Sequence, residues 1–411
     1  MKILHCLHNY HPARGGAEWL MKNISEGLVR RGHTVKVIAT NAYSVEDYFL
    51  PGKGKDLIEG KKDIINGVEV ERVTFSRKGY FILNFLRSVA NRVAYPGSSW
   101  IKMMSWGPRG RAYRNEIERS RDFDLIAACP LPTLNVRLAW KAAQKTKKPL
   151  VIIPCFHTED SQTYCNPIHF QMMASSDAVV ALTEHEREYI HQRGNVPLNK
   201  IQTIGAGVAG ETHPSRVDIR SRYGIREKEI ALFLGQQGIH KGILHLVKAM
   251  TYVWSERPDT ALVIAGNPTA HTVKIEGEIS CLPPEEKKRV YLIKGFPESE
   301  KRAFFDAADV FVSVSLFESF GIVFLEAWLS KLPVIGCKRG GSSRIIDHFK
   351  DGLHVDYGKP KELAGAILEL LENKEDSRRM GENGYRKVLE NYTWEKIIGQ
   401  WVKLYEAVAT Q

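Results

Sequence analysis

Residues 309–341 read DVFVSVSLFESFGIVFLEAWLSKLPVIGCKRGG and set the pattern for the rest of the chain. In the first part of this stretch, 309–315, Val and Phe alternate with small residues, which predicts a buried strand. A short loop carrying Glu318 follows, and Gly321 then opens a helix that Pro333 prevents from continuing. Another strand begins after the proline and ends in a Gly-Gly turn, where backbone can approach a ligand closely. The order strand, helix, strand is typical of an open α/β sheet.

The helix predicted at 322–329 is apolar on nearly every side, so we expect it to be buried. Glu326 in this helix needs a partner, because an unpaired buried carboxylate is costly. The partner is a pair of sugar hydroxyls, or a Lys or Arg, unless Glu326 simply lies on a polar edge of the helix. Glu318 lies where open α/β sheets bind ligands, beside a helix N-terminus that favours an anion such as a diphosphate. Two carboxylates that can bind hydroxyls, beside a site that can bind a diphosphate, indicate a binding site for a sugar nucleotide.

The spacing Glu318-x7-Glu326, with Ser-Phe-Gly after the first and Leu-Glu-Ala around the second, resembles a known motif. Retaining glycosyltransferases of family four read E-G-F-G-x-x-x-L-E-A here, followed by x-P-V-I and a Gly-Gly turn. This sequence matches position by position, except for Ser319 in place of the first Gly. The resemblance implies the glycosyltransferase B-type fold, two Rossmann-like domains facing across a cleft, with a C-terminal helix crossing back. The expected parts are an acceptor-binding domain at 1–205, a nucleotide-sugar-binding domain at 206–390 and the returning helix at 391–411.

Composition fits an ordinary globular protein of two domains: 411 residues, 43% hydrophobic and 26% charged. No apolar run reaches the ~18–20 residues that a membrane helix needs. The six cysteines are scattered without a C-x-x-C pair, so we expect reduced thiols, no structural zinc and a cytoplasmic protein. The net charge of +11 is compatible with nucleic acid, an anionic membrane or phosphorylated substrates. Because no nucleic-acid-binding module is recognisable, we predict no nucleic-acid partner.

The stretch 77–114 is rich in basic and aromatic residues and contains no acidic residue. One interpretation is contact with an anionic membrane, at its inner face, or with a lipid-linked phosphorylated acceptor. The other is an ordinary pair of helices with core aromatics and solvated charges. The residues in question are Arg77, Lys78, Arg87, Arg92, Lys102, Arg109, Arg111 and Arg114, interleaved with Tyr80, Phe81, Phe85, Tyr95, Trp100, Trp106 and Tyr113.

The N-terminal half begins with a strand at 2–7, a loop ending in Gly15 and Gly16, a helix and a strand at 35–39, which together form a βαβ unit. The glycine pair allows close approach of a ligand, or is only a tight turn. In the resembled family this pair faces the donor phosphates, which implies a donor-binding role for Gly16.

A further strand of this half, at 150–153, is followed by His157 at the expected ligand edge. A lone His is more often structural, but the resemblance implies that His157 lies beside the reacting sugar. Asp122 and Asp124 form a D-x-D pattern that could suggest a metal site. Because Asp124 leads directly into a strand, we read it as a strand-start residue and predict no metal.

The C-terminal half contains a Gly-rich loop before a helix, with Lys241 suited to a phosphate unless it is merely solvated. The family usually reads G-R-x-x-x-x-K-G here, with both cations on the donor diphosphate. Gln236 stands in place of the Arg and supplies no charge. The turn at Gly295 corresponds to the one that holds the nucleobase through backbone contacts in the family.

Residues 201–210, IQTIGAGVAG, contain a G-x-G-x-x-G pattern. A dinucleotide fingerprint needs a helix opening at the third Gly, and the sequence after it is a poor helix start. We interpret this segment as the interdomain linker, so a nicotinamide oxidoreductase has little support.

The resemblance implies a retaining glycosyltransferase, and the basic and aromatic stretch 77–114 favours a role in polysaccharide or glycolipid biosynthesis. A nucleoside diphosphate sugar, such as a UDP-sugar, would be the donor, and a glycan, lipid-linked or small molecule the acceptor, with no metal and no cofactor. The alternative is a catalytically weak or silent homologue that binds a sugar nucleotide or scaffolds an assembly. The expected catalytic residues are His157 and Glu318; the expected donor-binding residues are Gly16, Gln236, Lys241, Gly295, Ser319, Phe320, Gly321 and Glu326.

Overall fold

The computed structural model describes residues 1–13, 15–48, 57–92, 98–210, 214–316 and 318–410, with side chains at 90–92 left aside. The chain forms two compact units: unit 1 comprises Met1–Gly205 and Trp394–Gln411, and unit 2 comprises Ala206–Thr393. The last boundary, predicted at residue 390, lies after Thr393 in the structure, because one helix continues to Asn391 and the next begins at Trp394.

Unit 1 contains an eight-stranded sheet in the order β3-β4-β2-β1-β5-β6-β7-β8. All neighbouring strands are parallel except β3 and β4. The strand bounds are β1 (Lys2–Leu7), β2 (Thr34–Thr40), β3 (Lys62–Ile65), β4 (Val68–Val73), β5 (Leu125–Cys129), β6 (Leu150–Ile152), β7 (Ala178–Ala181) and β8 (Ile201–Thr203).

Unit 2 contains a six-stranded parallel sheet in the order β11-β10-β9-β12-β13-β14. Its central strands are buried along their whole length, which explains why they read as continuous apolar runs rather than alternating ones. The strand bounds are β9 (Glu229–Leu234), β10 (Thr260–Gly266), β11 (Val290–Lys294), β12 (Val310–Ser313), β13 (Val334–Cys337) and β14 (Gly352–Val355).

Helices connect the parallel strands and cover both sheets. In unit 1 the first eight are α1 (Gly16–Arg30), α2 (Tyr80–Arg92), α3 (Ser98–Ser105), α4 (Arg111–Arg119), α5 (Leu134–Thr146), α6 (Ser161–Tyr164), α7 (Pro167–Ala174) and α8 (Glu184–Gly194). Those of unit 2 are α9 (Ile219–Tyr223), α10 (Ile243–Glu256), α11 (Thr272–Ser280), α12 (Pro284–Lys287), α13 (Lys301–Ala307), α14 (Ile322–Leu329), α15 (Ser342–Ile345), α16 (Pro360–Glu372) and α17 (Lys374–Asn391).

The final helix, α18 (Trp394–Ala409), belongs to unit 1 and packs on α1. Ile398 of α18 fills the space where Gly27 of α1 lacks a side chain, since a Cβ there would lie 2.5 Å from Ile398. The Tyr405 hydroxyl lies 3.2 Å from Nε2 of the buried His5 on β1. The chain therefore returns to its first domain at the C-terminus, as the family resemblance implied.

Candidate active site

Loops that follow neighbouring parallel strands meet at one edge of the unit 2 sheet. β9 and β12 are hydrogen-bonded neighbours, so the loops after them emerge side by side. The Leu316 N–H donates to the His240 carbonyl oxygen at 2.7 Å, joining these loops. The Gly341 N–H, after β13, donates to the Glu318 carbonyl oxygen at 2.7 Å. Three segments distant in sequence thus form one connected surface.

The structure brings the predicted residues Lys241 and Glu318 into contact. The Lys241 ammonium lies 2.9 Å from Oε2 of Glu318, and the two side chains are 21% and 17% exposed. Lys241 ends a short 3₁₀ turn, Ile239–Lys241, immediately before α10. The partly buried ion pair leaves a cation and a carboxylate together at the ligand edge of the sheet.

Two glycines allow the loops to approach so closely. Gly242 has a φ of +74°, and a Cβ there would lie 2.3 Å from the Val314 carbonyl oxygen. A Cβ on Gly341 would lie 2.3 Å from the carbonyl oxygen of Ser319. The loop carrying Ser319 therefore leaves no room for a side chain at Gly341. The sequence had suggested a different reason for the Gly-Gly turn, the close approach of a ligand.

Gly321 provides the N-cap of α14, with a φ of +95° that only glycine adopts readily. Phe320 beside it is buried, and its ring centroid lies 5.8 Å from that of Tyr392. The predicted anchors Ser319, Phe320 and Gly321 therefore lie at the positive end of the α14 dipole.

Glu326 lies on α14 and pairs with Lys301, a residue that no sequence motif indicated. Its Oε1 is 2.5 Å from the Lys301 ammonium on α13. Its Oε2 is buried without a hydrogen-bond partner in the described part of the chain. Burial raises the pKa of the Glu326 carboxyl above its ordinary value, against the attraction of Lys301. Of the partners considered from sequence, the structure supplies a lysine for one oxygen, and the other oxygen has no partner among the described residues.

The loop after β9 holds two adjacent glutamines in different environments. Gln236, the residue in place of the family's Arg, is exposed. Gln237 is buried, and its Nε2 donates to the carbonyl oxygens of Gly266 and Ile293 at 3.2 and 3.1 Å. Gln237 therefore ties the ends of β10 and β11 to this loop, a role that the sequence pattern did not indicate.

Gly295 follows β11 and forms the predicted turn. Its φ is +88°, and its N–H donates to the Gly266 carbonyl oxygen at 2.8 Å. Gly295 thus lies at the same edge of the sheet as the loops after β9 and β12.

In unit 1, Gly16 begins α1 and is exposed. A Cβ on Gly16 would meet no atom within 4 Å, whereas one on Gly15 would lie 2.2 Å from Oε2 of Glu18. The buried Glu18 carboxylate pairs with Nε2 of His8 at 2.9 Å. Packing therefore explains Gly15, but packing within unit 1 gives no reason for Gly16.

His157 follows β6 at the carboxyl edge of the unit 1 sheet and is half-buried, with its ring centroid 5.3 Å from that of Tyr164.

The carboxylate of Glu186 on α8 supports the loop that carries His157. It accepts the Phe156 N–H and the Leu182 N–H, each at 2.7 Å. Burial raises the pKa of Glu186 from 4.5 to about 7, although both hydrogen bonds oppose the rise. Sequence reasoning missed Glu186, although T-x-x-E at a helix start is the signature of a capping box.

The basic and aromatic stretch 77–114 divides between core and surface. Tyr113 is 1% exposed and belongs to the core. In contrast, α2 presents a row of exposed apolar side chains. Tyr95 and the Arg92 side chain lie outside the described residues. The exposed row consists of Phe81, Ile82, Phe85, Leu86 and Val89, exposed by 71, 66, 68, 42 and 39%.

Asp122 and Asp124 serve the start of the unit 1 sheet. The Lys2 ammonium pairs with Asp122 at 2.5 Å, and the Lys2 N–H donates to Oδ2 of Asp124 at 2.8 Å. Both contacts lie at the amino end of β5, opposite to the edge that carries His157. The D-x-D pattern is thus occupied in joining β1 to β5.

Two family profiles match successive parts of the chain. "Glycosyltransferase Family 4" matches residues 14–211, and "Glycosyl transferases group 1" matches residues 215–387. The matches together cover the unit 1 sheet from β2 onward and the whole unit 2 sheet, and they include the predicted residues from Gly16 to Glu326.

Individual proteins of known sequence or structure also resemble this chain. Spore coat protein SA of Bacillus subtilis is 27% identical over 71% of this chain and 80% of that protein. An uncharacterized glycosyltransferase of Methanocaldococcus jannaschii is 25% identical over 99% of this chain and 98% of its own length. The solved structure of Anabaena HepE with UDP-glucose has a TM-score of 0.70 and 19% identity, covering 99% of this chain and 100% of that one. The two parallel-sheet units thus have the predicted B-type fold.

Proposed function

Since the chain belongs to the group 1 glycosyltransferases of family four, we propose that it transfers a sugar from a UDP-sugar to its acceptor with retention of anomeric configuration. The observation that carries this proposal is the contact of Lys241 with Glu318 beside the N-terminus of α14. A cation and a helix N-terminus suit a diphosphate, and a carboxylate suits sugar hydroxyls. The Anabaena relative of known structure was solved with UDP-glucose, which favours UDP as the nucleotide to test first.

In this proposal each residue of unit 2 has a separate task. Lys241 and the backbone N–H groups of Phe320 and Gly321 bind the diphosphate and stabilise the charge that develops on it as the leaving group departs. Glu318 binds hydroxyls of the transferred sugar, and Glu326 binds the ribose. Gly295 approaches the nucleobase.

Transfer with retention would pass through an oxocarbenium-like transition state. His157 would position the sugar or the acceptor rather than attack the anomeric carbon. Metal-independent transfer is the form we propose, because Lys241 and the α14 dipole supply positive charge and the aspartates of the D-x-D pattern are occupied with Lys2.

The acceptor class we propose is anionic and lipid-linked, as in glycolipid or polysaccharide biosynthesis. A cavity of about 500 Å³ in unit 1 lies where β2 and β4 end, and its lining includes three cations, Lys61, Arg72 and Arg119, and one carboxylate, Glu116. The exposed apolar row on α2 belongs to a stretch without acidic residues. Such a helix suits the surface of an anionic membrane. No helix in the described ranges is long and apolar enough to cross one.

The membrane proposal is tested with vesicles. Phe81→Ser/Phe85→Ser should abolish flotation with vesicles containing anionic lipid, while Val273→Ser, at an exposed apolar residue on α11 of unit 2, should have no effect. Equal flotation of wild type and the double variant would refute it.

The donor proposal is tested by thermal shift, turnover and product analysis with a panel of nucleoside diphosphate sugars. We expect stabilisation by one UDP-sugar in wild type but not in Glu326→Ala, slow release of UDP without acceptor, and an α-linked product from an α-linked donor. An inverted product would refute retention, and no binding of any donor would refute the transferase proposal.

The rival proposal, a weak or silent homologue, is favoured by the uncharged Gln236. Gln236→Arg distinguishes them. If wild type turns over the donor and Gln236→Arg binds it more tightly, the protein is a working enzyme with reduced donor affinity. If both proteins bind the donor and neither turns it over, the protein is the silent homologue.

A further inference from the structure

Lys301 contacts only one of the two carboxylate oxygens of Glu326. The Lys301 ammonium lies 2.5 Å from Oε1, and the side chains of Lys301 and Glu326 are 23% and 18% exposed. Oε2 is buried and has no hydrogen-bond partner in the described residues. Since buried acceptors in native proteins are nearly always satisfied, Oε2 requires a donor from outside the described residues, and a ligand hydroxyl is such a donor.

Contacts at one side of α13 fix that helix against α14. Nη2 of Arg302 donates to the Leu329 carbonyl oxygen at 2.9 Å. The carboxylate of Asp306 accepts from Nε of Arg302 at 2.6 Å and from the Ser330 hydroxyl at 2.8 Å. Lys301 therefore extends from a helix whose position is already set, and it restrains the carboxylate to one orientation.

Opposing charges act on Glu326 from the start of α13 and from the turn before it. Lys301 attracts the carboxylate, and Glu298, 85% exposed and 3.7 Å from the same ammonium, repels it. The other charged groups near α14 have their own partners: Arg302 is described above, and Lys387 on α17 bonds to Asp351. β13, which packs on α14, has no charged side chain. Among these groups, Lys301 is the one that favours the ionised carboxylate.

We propose that Lys301 is a positioning residue for the donor: it keeps Glu326 ionised and leaves Oε2 to accept a hydrogen bond from a ribose hydroxyl of the nucleoside diphosphate. This inference rests on the proposed function and deepens it. It makes recognition of ribose depend on a lysine outside the Glu318-x7-Glu326 motif.

The test compares the affinities of UDP and 2′-deoxy-UDP by calorimetry at pH 7 and pH 9. Wild type should prefer UDP by about tenfold or more, as expected for hydrogen bonding to a charged group. In Lys301→Met the preference should fall below about threefold at pH 7 and be larger at pH 9 than at pH 7, because losing the lysine raises the pKa of Glu326 further. Lys301→Arg should keep most of the preference. Lys331→Met, which removes another lysine–glutamate pair of unit 2, should match wild type.

Glu298→Gln supplies a readout that does not depend on Lys301→Met folding. Removing this like charge should shift the loss of UDP affinity in acid to lower pH. A full preference for UDP in Lys301→Met at pH 7, with only a lower melting temperature, would overturn the inference and leave the proposed function standing. Wild type that binds no nucleoside diphosphate would overturn both.

Discussion

The ammonium of Lys241 lies 2.9 Å from Oε2 of Glu318, so a cation after β9 and a carboxylate after β12 neutralise one another at the edge of the unit 2 sheet. Neither strand is near the other in sequence. Because a diphosphate would compete with Glu318 for Lys241, the two residues should have opposite effects on nucleotide affinity.

Substitution of these residues tests the competition. Lys241→Gln should weaken UDP binding by about tenfold or more, since a charge-assisted contact is lost. Glu318→Gln should leave UDP binding unchanged or tighter, because the lysine is freed, yet lower kcat with a UDP-sugar. Calorimetry with UDP and steady-state kinetics measure these effects, with the exposed Lys248→Gln as control. Weaker UDP binding in both variants would contradict the competition.

Gly16→Ala tests whether Gly16 serves only a tight turn or also allows a ligand to approach the backbone. A Cβ at Gly16 meets no atom of unit 1 within 4 Å, so the melting temperature should not fall. If the donor phosphates approach this backbone, KM for the donor should rise by about tenfold, a loss of roughly 1.4 kcal/mol of binding. Gly277→Ala on α11, where the space is also open, is the matched control. Unchanged kinetics in Gly16→Ala would show that the glycine serves the turn alone.

Gly341→Ala should reduce both stability and turnover. The added Cβ would lie 2.3 Å from the Ser319 carbonyl oxygen and 2.8 Å from that of Glu318, and backbone must move to relieve both contacts. We expect a loss of about 1–3 kcal/mol, as for other overpacked sites. Thermal unfolding and donor turnover are the measurements. Gly365→Ala in α16 has open space and should gain up to about 1 kcal/mol. A Gly341→Ala protein with wild-type turnover would show that the loop tolerates displacement.

Glu186→Gln should change the pH dependence of stability. The carboxyl has a pKa of about 7 when folded and 4.5 ordinarily, so its contribution is full below pH 4.5 and is lost as the pH rises through 7. That loss corresponds to roughly 3 kcal/mol at about 1.4 kcal/mol per pH unit. The stability of wild type relative to Glu186→Gln should therefore decrease by this amount between pH 4.5 and 8, measured by urea unfolding.

The same variant should also lower kcat. A glutamine has one acceptor oxygen, so it cannot accept both the Phe156 and the Leu182 N–H, and the loop carrying His157 loses a support. A stability difference between wild type and Glu186→Gln that stays constant from pH 4.5 to 8 would contradict the raised pKa. An unchanged kcat would contradict the support of the His157 loop.

Much of the architecture was predictable because local rules act on neighbouring residues. Alternating Val and Phe before Glu318, the glycine at the start of α14 and the proline after it set strand, cap and helix end within a few positions. Parallel strands place their following loops at one edge of the sheet, so the strand order alone favours one edge for Lys241, Gly295 and Glu318.

Other features needed the folded chain, because they depend on contacts between segments that the sequence does not relate. The sequence left open whether Glu326 pairs with a cation or a ligand, and packing of α13 on α14 supplied Lys301 for one oxygen while leaving the other buried and free. The support of the His157 loop by Glu186 likewise spans 30 residues from Phe156. The sequence by itself determined which strands and loops form and which residue types lie at their ends. Only tertiary packing decided which side chains meet there, because a side chain's partners depend on the distances and burial that arise when separate elements come together.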